Sequence, residues 1–75
     1  MNKVYTVKEV AELLQCNQDY VHKLRKSGQI KFMKLGHYKV REEELERFLK
    51  EAEGYDMTDP EHPRPLDERG SLIED

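Results

Sequence analysis

A helical rhythm of apolar positions begins at Val7. Val7, Val10, Ala11, Leu13 and Leu14 recur at spacings of three and four, which predicts a helix over 7–14. Thr6-Val7-Lys8-Glu9 fits the capping box in front of it: the Thr6 hydroxyl accepts from the Glu9 amide, and the Glu9 carboxylate from the Thr6 amide. Gln15-Cys16-Asn17 breaks the rhythm. Asn17 is a favourable N-cap and Asp19 a favourable first-turn acid, so a second helix is expected over 18–27. Its apolar stripe is narrow (Tyr20, Val21, Leu24), and Gly28 suits the C′ position that closes it.

Two β-prone runs follow, Ile30 to Leu35 and Tyr38 to Val40, around Gly36-His37. That spacing predicts a hairpin over 31–40 with a two-residue type II′ turn. A third helix opens at Arg41-Glu42-Glu43-Glu44, should bury Leu45, Phe48, Leu49 and Ala52, and should end at Gly54. The expected order is therefore α-α-β-β-α, mainly helical with a small hairpin. The chain divides into a folded part, 1–53, and a remainder, 54–75. The remainder has three prolines, seven acids and few apolar residues, a composition that predicts disorder.

Charge changes this picture. The chain of 75 residues has a net charge of −3, but the sign is segregated. Residues 1–41 hold nine Lys and Arg against three acids; residues 42–53 hold six Glu against Arg47 and Lys50; the tail holds seven acids against Arg64 and Arg69. A basic front is a footprint for a polyanion, and the acidity lies elsewhere.

The first two helices lie close enough in sequence for a helix-turn-helix. Ala11 falls where steeply crossed helices need a small side chain, and Val21 and Leu24 follow at the offsets that pack beneath it. With Val21 and Leu24 turned inward, the opposite face carries Asp19, His22, Lys23 and Lys26, with Gln18 and Arg25 at its borders. Residues early in a recognition helix meet base edges. Gln18 suits adenine, Asp19 suits the cytosine amino group, and His22 and Lys23 suit guanine. Arg25 and Lys26, with Lys34, His37 and Lys39 from the hairpin, suit phosphates. Lys23, Arg25 and Lys26 also have a plainer reading: cations near a helix C-terminus complement its dipole whether or not DNA is present.

The run from Tyr5 to Leu49 resembles the excisionase-type winged helix-turn-helix family, which is related to the DNA-binding domains of MerR-type regulators. The resemblance rests on YTVKEVAELL at the start, V-x-x-L in the second helix, RKSG after it, KLG in the hairpin and EELERFL at the end. It implies a DNA-binding protein of a bacterium, phage or mobile element, acting as an architectural factor in site-specific recombination or as a small transcriptional regulator. It further implies a hairpin that serves as a wing, cooperative self-association on adjacent sites, DNA bending and recruitment of an integrase. Gln15 departs from the family, where Gly is common in the turn, and the Gly36-His37 wing loop is shorter and less basic than usual.

Other classes fit less well. No acid–base pair, nucleophile constellation or phosphate-binding glycine loop stands out, so no enzyme and no cofactor are expected. Cys16, His22 and His37 lack ligand-pair spacing, so no metal is expected; Cys16 reads as a small buried hydrophobe in the turn. A single cysteine and the lack of an 18-residue apolar run point to a reduced, cytoplasmic, nucleoid-associated setting without a membrane span. The tail keeps two readings beside solubilisation. It is a protein-interaction module, anchored by Ser71-Leu72-Ile73 in a partner, or it folds over the basic face and competes with DNA. On the latter reading, deleting residues 54–75 should tighten DNA binding at low salt.

Overall fold

The computed structural model describes residues 3–73 as β1 (Val4–Thr6), α1 (Val7–Leu14), α2 (Gln18–Lys26), β2 (Met33–Leu35), β3 (His37–Arg41), α3 (Glu42–Ala52), β4 (Tyr55–Asp56) and β5 (Arg64–Pro65). No helix among the described residues is long and apolar enough to cross a membrane.

Local chemistry sets the helix ends. At the start of α1 the Glu9 amide donates to Thr6 Oγ1 at 3.1 Å, and the Thr6 amide to Glu9 Oε1 at 2.9 Å, closing the capping box. At the start of α2 the Tyr20 amide donates to Asn17 Oδ1 at 2.8 Å. Both helices stop in the same way. After α1 the Cys16 amide donates to the Ala11 carbonyl and the Gln15 amide to that of Glu12; after α2 the Gln29 amide donates to Leu24 and the Gly28 amide to Arg25. These paired bonds form the Schellman motif, which needs a left-handed residue. Gly28 supplies it at φ 82°, and Gln15 supplies it at φ 57° and ψ 45°, where a side chain is strained.

The sheet has one strand more than the sequence suggested. β1 pairs antiparallel with β3 (Tyr5 opposite Val40), and β3 pairs with β2 (Lys34 opposite Tyr38), giving the order β1-β3-β2. The hairpin also differs from expectation. Leu35 pairs directly with His37, so the turn is Gly36 alone, at φ 79°, and His37 belongs to the strand. Strand structure starts at Met33, which frees Ile30 to enter the core.

That core is Val10, Ala11, Val21, Leu24, Ile30, Val40, Leu45 and Phe48. It draws on both helices of the pair, the central strand and α3. Two expected core members lie outside it: Leu13 is 55% exposed and Leu49 44% exposed. Leu13 sits roughly 110° around α1 from the centre of the stripe formed by Val7, Val10, Ala11 and Leu14, so the 3/4 spacing overcounted it. Glu44 and Arg47 of α3 tie down the chain leaving α2. Glu44 Oε2 accepts from the Lys31 amide at 2.9 Å, and Arg47 Nη2 donates to the Gln29 carbonyl at 2.8 Å. The Arg47 guanidinium holds the Glu44 carboxyl below the usual carboxylate range.

The expectation of a disordered tail is corrected. β4 and β5 pair antiparallel, Leu66 bridges to Leu72, and the Leu66 amide donates to the Gly54 carbonyl at 2.8 Å. The acids that suggested disorder act here as turn formers. Asp56, Asp59 and Asp67 each accept from the amide two residues on, through one carboxylate oxygen. Met57 then packs against the core, and Pro60 is buried. Residues 74 and 75 lie outside the described part.

Candidate nucleic-acid interface

The inward turn of Val21 and Leu24 leaves Gln18, Asp19, Lys23 and Lys26 exposed on α2 and His22 and Arg25 half-buried. The half-buried pair lies on the side towards the wing. Arg25 Nε donates to His22 Nδ1 at 3.3 Å. The Arg25 guanidinium carbon stands 4.0 Å from the centre of the Tyr38 ring, and Lys34 Nζ stands 4.9 Å from it. His22 and Phe32 meet the same ring edge-on at 6.1 and 6.5 Å. Tyr38 is thus the centre of a cationic cluster drawn from two elements, and both cations gain from its negative π-face.

That cluster has a chemical consequence. Because His22 Nδ1 accepts from Arg25, the neutral ring carries its proton on Nε2, which leaves an N–H available as a donor. Such a donor suits guanine N7 or O6.

The wing residues do not act as one set. Lys34 is opposite Tyr38 and shares its face, the face that also buries Val40. His37 and Lys39 alternate onto the other face, with His37 exposed at the tip and Lys39 half-buried between Thr6 and Met33. The structure therefore joins His22, Arg25 and Lys34, and leaves His37 and Lys39 apart from them.

Lys23 and Lys26 look the other way. They line a cleft of about 450 Å³ whose opposite wall is Thr58, Asp59, Pro60 and Glu61. Two hydrogen bonds fix that wall: the Tyr20 hydroxyl donates to the Met57 carbonyl, and Gln29 Nε2 donates to the Pro60 carbonyl at 2.8 Å. The Asp59 carboxyl is held below its ordinary range by the hydrogen bond to His62, then by the Glu61 amide, with Lys23 adding to the effect.

Tyr38 as the centre of a cation cluster, and the place of residues 57–61 beside Lys23 and Lys26, go beyond the sequence reading, in which the tail folds over the basic face as one alternative with no residues named. Lys34 and Tyr38 four residues apart across a glycine turn carried a signal for the first; only the threefold Asp turn pattern hinted at the second. Burial pushes the Cys16 thiol up, away from the reactive thiolate, in keeping with its place against the core. Asp59, Glu61 and His62 bring ligand-type atoms within 4.8 Å of one another, all of them exposed. Asp59 already spends one oxygen on the Glu61 amide and the other on His62.

A family model described as a helix-turn-helix domain matches residues 4–53. No curated protein and no solved structure matches the chain. With two thirds of its length covered from β1 through α3, the chain belongs to the helix-turn-helix domain family, a DNA-binding class.

Proposed function

Starting from that membership, we propose that the chain is a sequence-specific, non-catalytic binder of double-stranded DNA, of the excisionase type. α2 enters the major groove and the β2–β3 hairpin acts as the wing. Gln18, Asp19, His22 and Lys23 meet base edges. Arg25, Lys26 and Lys34 meet phosphates, with His37 and Lys39 contributing from the far face of the wing. The observation that carries this reading is the Tyr38 cluster, which fixes a helix cation and a wing cation over one ring so that both present charge together. An isolated helix end that only complements its dipole needs no such cross-element arrangement.

Residues 1–53 would carry the DNA contacts, and residues 54–75 would carry regulation or a protein contact with an integrase. A single domain of this size has a modest footprint, so repeated sites or self-association would raise its occupancy. The excisionase role, as opposed to that of a small MerR-like regulator, rests on the sequence resemblance. Footprinting on duplex DNA across a salt series tests the binding. The expected result is a protected site and an affinity that falls log-linearly with salt; binding that ignores salt overturns the DNA reading. Stimulation of excision by a purified integrase, against repression of a promoter in the same DNA, separates the two roles.

A further inference from the structure

The wall facing Lys23 and Lys26 is built from the chain's own acidic segment, and its position is set by groups that carry no charge. The Tyr20 hydroxyl and Gln29 side chain grip the Met57 and Pro60 carbonyls, Met57 packs on the core, and Pro60 is buried. Beside these anchors Asp59 and Glu61 line an open cleft with the two lysines. No ion pair within 4 Å closes that gap among the described residues. The lysines are therefore neither neutralised by contact nor free: they share a cleft with two carboxylates.

We propose that residues 57–61 are an intramolecular acidic arm that competes with DNA for Lys23 and Lys26, so that duplex DNA must displace the arm to engage the tail-side half of α2. This inference rests on the DNA-binding reading and adds regulation to it. The arm reaches one side only. Arg25, His22 and Lys34 face the wing, so weak, wing-led encounters stay open while full engagement is opposed. The arm lowers affinity for all duplexes by a similar factor. The ratio of affinities between sites is then unchanged, while weak sites fall below occupancy first.

The test uses the full chain. Asp59→Asn with Glu61→Gln should tighten binding to a short duplex at low salt by about threefold to tenfold relative to the parent. Glu53→Gln with Glu68→Gln removes the same charge from two exposed sites away from α2, and should tighten binding by less than about twofold. Equal tightening by the two pairs overturns the arm, because net charge alone would then explain it. Gln29→Ala leaves charge unchanged but releases the Pro60 carbonyl, and should tighten binding about twofold; no change, or weaker binding, counts against the latch. Amide signals of 57–61 followed during titration of the parent with duplex should move together with those of α2. If they stay fixed while α2 responds, the arm is not displaced and the proposal fails. Should neither the parent nor the neutralised variant bind any duplex, the DNA reading itself falls, which is distinct from binding that is insensitive to the arm.

Discussion

The two flanks of α2 are built from opposite materials. On the wing side, cations from the helix and the hairpin converge on one aromatic ring, and the positive charge is concentrated. On the tail side, cations face carboxylates, and the contact is held by neutral donors to backbone carbonyls. The difference shows that a basic helix does not present one surface. Its cations are gathered where an element donates an aromatic face and offset where an element donates acids, although both neighbours are short antiparallel hairpins. The segregated charge of the sequence, basic to residue 41 and acidic beyond it, becomes in space two walls around a single helix.

The largest disturbance should come from beneath both flanks. Leu24 is fully buried and sits under the helix that both share. Leu24→Ala should destabilise by about 2–5 kcal/mol, enough to unfold much of so small a domain. A thermal melt followed by circular dichroism checks this, and DNA binding should vanish with the fold. A melt close to that of the parent would show that the flanks, and not the buried seam, hold α2.

Next in size is Tyr38. Tyr38→Ala removes the ring that organises Arg25 and Lys34 and should weaken DNA binding roughly tenfold, from two cation–π contacts worth about 0.5–1 kcal/mol each. Tyr38→Phe keeps the π-face and should stay within about twofold of the parent. If Phe behaves like Ala, the hydroxyl is what matters, and the wing flank works by hydrogen bonding instead. Lys26→Ala, on the other flank, should weaken all duplexes about threefold and lower the salt slope by about 1. Gln18→Ala should leave that slope alone and relax sequence preference.

What the sequence disclosed follows the range of the interactions. The Thr6–Glu9 box, the Asn17 cap and the Gly28 stop depend on partners within five residues, so each could be read from its neighbours. β1 could not, because Val4, Tyr5 and Thr6 gain their pairing from Val40, Lys39 and Arg41, far along the chain. The candidate contact residues on α2 followed from one rotation per residue about a helix axis. Their division into two flanks did not, since Tyr38 and residues 57–61 come from elsewhere. Composition misled in the tail: acids that lower hydropathy also cap turns, and Asp56, Asp59 and Asp67 order a segment whose average character argues for disorder.

The smallest effect expected is also the cleanest control on the comparison. Gln15 and Gly28 hold equivalent left-handed positions at the ends of α1 and α2, but only one of them is glycine. A non-glycine residue there costs about 1–2 kcal/mol, part of which glycine would give back through the greater freedom of its unfolded chain. Gln15→Gly should therefore stabilise by about 0.5–1 kcal/mol, raising the melting temperature by roughly 2–8 °C. The Gln15 side chain is exposed and touches neither flank, so DNA affinity and salt slope should stay as they are. A more stable protein with unchanged binding separates the rigidity of the helix pair from the chemistry of its two walls. Binding that tightens with stability would instead mean that α2 is frayed in the free protein, and that part of what distinguishes its flanks is order and not charge.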